Sequence, residues 1–381
     1  MDVSTVIQNR NEPIGGNTSS NFVSADHVMI SCGPPGMVDN TNDYYAIGLT
    51  QRIDYRDGRQ VIQQGEIGSN ATLTMIGESQ KSLSLNKTII KGNSLLYALY
   101  YAQYRLLAGG GAPANDDFQL ISEAIDDGFD VPVGKDYGAD DVIGGADVIL
   151  GVMTDPDGVY GGPNDLTAIG LTQGFQLQSN MPIKQVNEMG THAKFIIAGK
   201  ADKSMAFSRI MLDTKSALSA IYGTNESIIQ DLQDKRFRVP KDIYLIFMNK
   251  TNDDYDSIIS LEKSVITDIG SQNTAGEQST LESLSLSWNK SFYHGHSAGP
   301  VNSLGGDSYG IGDSNIWLDL DHYIFRKPFN LLLTYCDADN KVLGQQILDR
   351  ALMSSIGKTF AAGSYTTVEG GALSWENTVT L

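Results

Sequence analysis

Basic residues are scarce in this sequence: 27 Lys and Arg stand against 45 Asp and Glu, giving a formal net charge of −18. That balance excludes a groove that wraps nucleic acid by neutralising its phosphates. Cysteine is nearly absent, with only Cys32 and Cys336, so neither a disulfide scaffold nor a multi-cysteine zinc site is available. Long apolar runs are missing too. The most apolar stretch, Leu95 to Ala108, is interrupted by Gln103 and Arg105 and is too short to span a bilayer. The opening Met1-Asp2-Val3-Ser4-Thr5 carries no basic region ahead of an apolar one, so the expectation is a soluble protein made in the cytoplasm, without a secretory signal. What remains is an ordinary globular mixture, 41% hydrophobic and 19% charged, with 40 glycines that call for many turns and close backbone approaches. A chain of 381 residues can hold two or more domains.

The dominant signal is internal repetition. Ala46-Ile47-Gly48-Leu49-Thr50-Gln51 returns as Ala168-Ile169-Gly170-Leu171-Thr172-Gln173, an offset of 122. The match continues without a gap to Tyr100/Tyr222, through Gln63/Gln185, Glu66/Glu188, Gly68/Gly190, Gly77/Gly199, Lys81/Lys203 and Ser94/Ser216. A different repeat follows at offset 87: Leu261, Ile269-Gly270, Ala275-Gly276, Thr280, Glu282 and Leu286-Ser287-Trp288 reappear as Leu348, Ile356-Gly357, Ala362-Gly363, Thr367, Glu369 and Leu373-Ser374-Trp375. With the first unit called A and the second B, the chain order is A1-A2-B1-B2. Two domains then arise either by nesting, with A2B1 inserted between A1 and B2, or by interleaving, A1 with B1 and A2 with B2.

Each A unit reads as strands followed by a helix. Ala71, Leu73, Met75, Leu83 and Leu85 alternate with polar residues around Gly77-Glu78-Ser79, a hairpin pattern, and the second copy keeps Ala193, Phe195, Ile197, Met205 and Phe207 in the same places. A helix follows, with Leu96, Leu99 and Tyr100 on one face and Leu218, Ile221 and Tyr222 as their counterparts. Each B unit opens on a strand-like run, Ile243 to Met248 or Phe329 to Tyr335, and closes on another, Leu281 to Trp288 or Val368 to Trp375. The fold class is therefore α+β, mostly antiparallel β, each A+B pair giving six or seven strands with one packed helix. The expected division is an N-terminal arm at 1–26, A1 at 27–107, a Gly/Asp-rich insertion at 108–165, A2 at 166–241, B1 at 242–293, a Gly-rich insertion at 294–328 and B2 at 329–381. Both insertions are expected as surface loops.

Motifs with chemical potential are weak. Gly295-His296-Ser297-Ala298-Gly299 is a literal G-x-S-x-G that could make Ser297 the nucleophile of a serine hydrolase, but Pro300 follows where a helix must open, and His322 is the only later histidine. His294 and His296 with Asp307 or Asp313 could chelate a metal, but exposed polar residues in a Gly-rich loop account for them more simply. Asp155-Pro156-Asp157-Gly158 lacks the twelve-residue calcium loop, and Gly310-Ile311-Gly312 lacks the frame of a dinucleotide site. No nucleophile–base–acid set occurs in both copies of a repeat. The expectation is no enzyme: no catalytic, cofactor-binding or metal residues, and no cofactor. Trp288 and Trp375 recur at one place in both B units, which favours the core over a carbohydrate-binding platform.

Unit A, with Gly170-Leu171-Thr172-Gln173, Met181-Pro182-Ile183, Glu188-Met189-Gly190, Gly199-Lys200 and Ser208-Arg209, resembles the first half of bacteriophage tail-tube proteins. Unit B, with Ala362-Gly363-Ser364 and Val368-Glu369, is similar to their closing strands. The first copy departs, having Arg59-Gln60-Val61 where the second has Met181-Pro182-Ile183. The resemblance implies a virion protein assembled in the host cytoplasm, in a homotrimeric, pseudo-hexameric ring of a tail tube or, alternatively, a baseplate hub. Its partners would be further copies of itself, stacked rings and neighbouring tail proteins, with DNA a non-bound passenger and no membrane. A net-negative lumen is expected from the overall charge, and Gly68 and Gly190 are expected at backbone positions that tolerate no side chain.

Overall fold

The computed structural model describes residues 28–35, 44–47, 50–65, 72–89, 95–96, 98–99, 103, 142–153, 166–187, 194–211, 216–223, 239–248, 255–273, 279–295, 315–336 and 342–381. The repeat offsets carry over into the secondary structure. In A1, β1 (Val28–Gly33) and β2 (Tyr45–Ala46) precede two long strands, β3 (Thr50–Gly65) and β4 (Thr72–Thr88). In the second copy β5 (Val148–Met153) and β6 (Leu166–Ala168) precede β7 (Thr172–Asn180), β8 (Ile183–Asn187), β9 (Lys194–Ala198) and β10 (Asp202–Ile210). Shifting β3 by 122 covers β7 and β8, and shifting β4 covers β9 and β10, end to end. A short helix, α1 (Ala217–Tyr222), follows, and the corresponding residues Leu95, Leu96, Ala98 and Leu99 are helical in the first copy. Unit B1 supplies β11 (Lys241–Met248), β12 (Tyr255–Gln272), β13 (Leu281–Ser287) and β14 (Lys290–Gly295); after β15 (Asn315–Trp317), unit B2 supplies β16 (Phe329–Cys336), β17 (Val342–Ala361), β18 (Val368–Ser374) and β19 (Asn377–Thr380).

Eight strands form a central antiparallel sheet in the order β3-β4-β18-β17-β7-β10-β13-β12. A1 strands thus pair with B2 and A2 strands with B1, which is the nested arrangement, and β17–β7 joins the two halves. The long strands β17 and β12 also run into two flanking sheets of matching order, β2-β1-β16-β17-β19 and β6-β5-β11-β12-β14-β15. Each long strand leaves the central sheet at one non-glycine residue with positive φ, Lys263 (51°) and Arg350 (56°), again 87 apart. The Lys263 and Arg350 amides donate to side-chain oxygens of Asp242 (2.7 Å) and Asn330 (3.0 Å), which fixes the bulge that re-aims each strand.

Hydrophobic residues from all four units merge into one continuous core, and Phe175 stacks on Phe360 across the β7–β17 junction with ring centroids 4.2 Å apart. The halves share a core and do not stand as two separate globules.

Three expectations are corrected. Residues 77–79 form no hairpin turn: β4 runs on through Gly77-Glu78-Ser79 and pairs with β3 on both sides, with only a register shift at Gly77-Glu78. The stretch 108–165 is not wholly a non-repeating insertion. Its β5 pairs with β11 and β6 as β1 pairs with β16 and β2, so it is the missing first strand of the second copy. Comparing Val28–Gly33 with Val148–Met153 shows why a gapless search misses it: the offset here is 120, not 122, and only the first residue of each strand is the same. Nor is 294–328 all surface loop, since Leu318, Leu320, Ile324 and Phe325 are buried in the common core. Gly68, Gly190, Ser297, His296, Asp307, Asp313, the Asp155–Gly158 run, Gly310–Gly312 and the arm at 1–26 lie outside the described residues.

Candidate functional site: the open face of the central sheet

Strands expose alternate residues on opposite faces, and here the two faces differ sharply. One face packs on the core: Leu83 and Leu85 of β4, Phe175 and Leu177 of β7, Met205 and Phe207 of β10, Leu284 and Leu286 of β13 are all buried. The other face is open and made mostly of small or uncharged polar residues. Successive cross-strand rows read Asp54-Ser84-Ala372-Ser355-Asn180-Asp202, then Arg52-Asn86-Gly370-Gly357-Gln178-Ser204, then Thr359-Gln176-Ala206-Ser285-Asp268. Apolar exceptions are half-buried: Ile210 and Leu281, paired with each other, Val368 opposite Thr359, and Val265 opposite Ser287. Charges on this face among the described residues are Arg52, Asp54, Arg56, Asp202 and Asp268, close to balance. The net charge of −18 is therefore carried elsewhere on the chain.

Behind this face lie two matched buried clamps. In the second copy Glu282 of β13 accepts from the Ala217 amide at the start of α1 (2.9 Å) and sits 3.3 Å from the Arg209 guanidinium, which itself donates to the Ile169 carbonyl. In the first copy Glu369 of β18 accepts from the Leu95 amide and lies 3.2 Å from Lys358, with Lys87 beside it. Lys87 stands 122 residues before Arg209, and Leu95 122 before Ala217. A carboxylate at a helix start satisfies free N–H groups and complements the helix dipole. Each clamp thereby ties an A helix to a B strand. Burial pulls the Lys87 amine down to about 8, against the attraction of Glu369 and with the repulsion of Lys358.

A second repeated pair acts alike. Lys81 donates to the Glu376 carbonyl (2.8 Å) and Lys203 to the Asn289 carbonyl (2.5 Å), positions related by both offsets at once. Lys203 also bridges Asp319 and Asp321, each at 2.9 Å, and so pins the 315–328 segment to the second copy. Burial would raise the Asp321 carboxyl, but the Ala201 amide and the Lys203 ammonium hold it below the usual value.

Of the residues weighed for catalysis or metal binding, only His294 and His322 lie among the described residues. His322 is buried, its Nδ1 accepting from the Ile324 amide (3.3 Å) and its ring meeting Trp317 edge-on at 4.8 Å, an aromatic packing role. His294 falls in β14. Trp288 and Trp375 are 9% and 2% exposed, and Trp375 stacks on Tyr55, so they offer no sugar platform. Among the described residues no group of three or more His, Cys, Asp or Glu could hold a metal, and no helix is long and apolar enough to cross a membrane. Sequence reading had Lys81/Lys203 and Glu282/Glu369 as repeated residues without a role. Their conspicuous charge at strand positions in otherwise apolar alternation was the signal.

No family model and no curated protein matches this chain. Its structural neighbours are phage tail-tube, baseplate and contractile injection system proteins, at low scores and partial coverage. The anti-feeding prophage baseplate matches at 13% identity and a TM-score of 0.29, over 39% of this chain and 93% of its own. The SPP1 tail tube matches at 14% and 0.30, over 40% and 80%. A PVC extracellular contractile injection system sheath/tube terminator matches at 12% and 0.29, over 38% and 91%.

Proposed function

We propose that this chain is a non-enzymatic virion protein that forms a homotrimeric, pseudo-hexameric ring of a phage tail tube, with the open face of the central sheet lining the channel. The observation that carries this reading is the sheet itself: two copies of a four-strand unit joined in register through β17–β7, with a smooth, small-residue face on one side. Such a face offers few apolar side chains, all half-buried, to catch bases and few cations to grip phosphates. DNA then passes as a hydrated, unbound polymer. On this reading the lumen is only slightly negative, because the residues on this face are mostly Ser, Gly, Ala, Thr, Asn and Gln.

A baseplate-hub position is the second reading, favoured by the nested pairing of A1 with B2 around A2B1. Light scattering on the purified chain tests the ring. Three copies of a 41.2 kDa chain, about 124 kDa in all, are expected, and a monomer at high concentration or a six-copy ring would refute it. Duplex DNA should not be retained in a low-salt gel shift; retention lost steeply with added salt would show a basic face.

A further inference from the structure

The two outer strands of the central sheet are β3 and β12. Among the described residues β3 pairs with β4 alone, and the stretch Val265–Gln272 of β12 pairs with β13 alone. Unpaired strand edges are templates for another strand. Inside the chain the same two kinds of strand are already joined: β17 is the counterpart of β12 at offset 87, and β7 is the counterpart of β3 at offset 122. There Ser355 lies opposite Asn180, Gly357 opposite Gln178 and Thr359 opposite Gln176. The protein thus contains, within one copy, an example of the junction that its own outer strands would make with another copy.

We propose that β12 of one copy pairs antiparallel with β3 of the next, in the register transposed from that internal junction. Asp268 then lies opposite Gly58, Gly270 opposite Arg56, and Gln272 opposite Asp54 on the open face, with Ile269 opposite Asp57 and Ser271 opposite Tyr55 on the other. This rests on the ring reading and names its interface. The side chains fit the register: Gly270 leaves room across from Arg56, as Gly357 does across from Gln178, and Arg56 falls diagonally beside Asp268, within reach of a long side chain.

The two junctions differ in strength. On its core side the internal one carries the Phe175–Phe360 stack, whereas the transposed positions are Ile53 and Asn273. The outer junction is polar and charge-assisted, so the chain folds with its inner junction closed and assembles through a reversible, salt-sensitive outer one.

The test uses the full chain. Directly opposed residues on antiparallel strands have Cα atoms about 4.5–5.5 Å apart, inside the range for a disulfide, and both native cysteines are buried. Asp54→Cys with Gln272→Cys, mildly oxidised, should give covalent dimers and trimers on a non-reducing gel, while Asp54→Cys with Ser271→Cys, which aims at the opposite face, should give few. Arg56→Glu should weaken trimer formation at least tenfold, and adding Asp268→Arg should restore it. A three-copy particle by light scattering without the in-register crosslink would overturn the junction and leave the ring standing. A chain that stays monomeric would overturn both.

Discussion

The first A unit ends in an unbroken two-stranded arm, and the second ends in a hinged one. In the first, β3 and β4 stay one ladder from Thr50–Lys87 to Gly65–Thr72, with register shifts between Thr50 and Arg52 and between Arg59 and Val61. In the second the same positions are cut. β7 pairs with β10, β8 pairs separately with β9, and the breaks fall at Met181-Pro182 and Gly199-Lys200-Ala201. Pro182 has no N–H to give a ladder; its carbonyl instead takes the Gly199 amide at 2.8 Å, while Met181 turns into the core at 2% exposure. Arg59, its counterpart, is exposed. One buried side chain and one imino acid turn a straight ribbon into a jointed tip, and the difference teaches that the duplicated units share a frame but not the reach of their arms.

The largest expected effect comes from the buried clamps, where the two copies also differ. Glu369→Ala should destabilise the fold by about 3–5 kcal/mol, since it strands buried cations and a helix start, and Glu282→Ala should cost less because it strands one cation. Chemical denaturation of both variants ranks them; equal losses would mean that Lys358 adds nothing to the first clamp.

The hinge comes next. A Cβ at Gly199 would stand 2.8 Å from the Pro182 ring, so Gly199→Ala should cost roughly 1–3 kcal/mol by overpacking. In a Pro182→Ala background most of that penalty should vanish, which a double-mutant cycle on melting temperature measures.

The clamps also separate by pH. Because Lys87 has its folded pKa lowered to about 8 from 10.5, the unfolded chain binds more protons between those values, and stability from this group rises with pH across that window and is flat below it. Subtracting the stability–pH curve of Lys87→Met from that of the parent should leave this rise; a flat difference between pH 8 and 10.5 would contradict it. The opposite trend from the Tyr44 and Tyr222 phenols, both pushed up to about 12 by burial, cancels in the subtraction.

The smallest effect is at the matched bulges. Lys263 holds a left-handed conformation that glycine adopts without strain, so Lys263→Gly should be neutral or stabilise by up to about 1 kcal/mol. Arg350→Gly should gain less, since Arg350 also pairs with Glu376 at 3.0 Å. Differential scanning calorimetry on the pair resolves the order.

Sequence by itself determined the duplication, the mostly antiparallel β class, the opening and closing strands of each B unit and the core placement of Trp288 and Trp375, because these rest on local alternation and on identities at a fixed spacing. The positions of the clamp residues were legible too, though not their partners. Only the tertiary structure decided that A1 pairs with B2 and A2 with B1, since nested and interleaved pairings bury the same alternating faces and differ only in which distant strands meet. It alone placed β5 as the counterpart of β1, where the spacing shifts by two residues and only Val28 and Val148 remain identical. It also showed that the acidic chain turns an almost neutral face outward from its sheet, because net charge is a sum over the whole surface and strand alternation sorts residues by side.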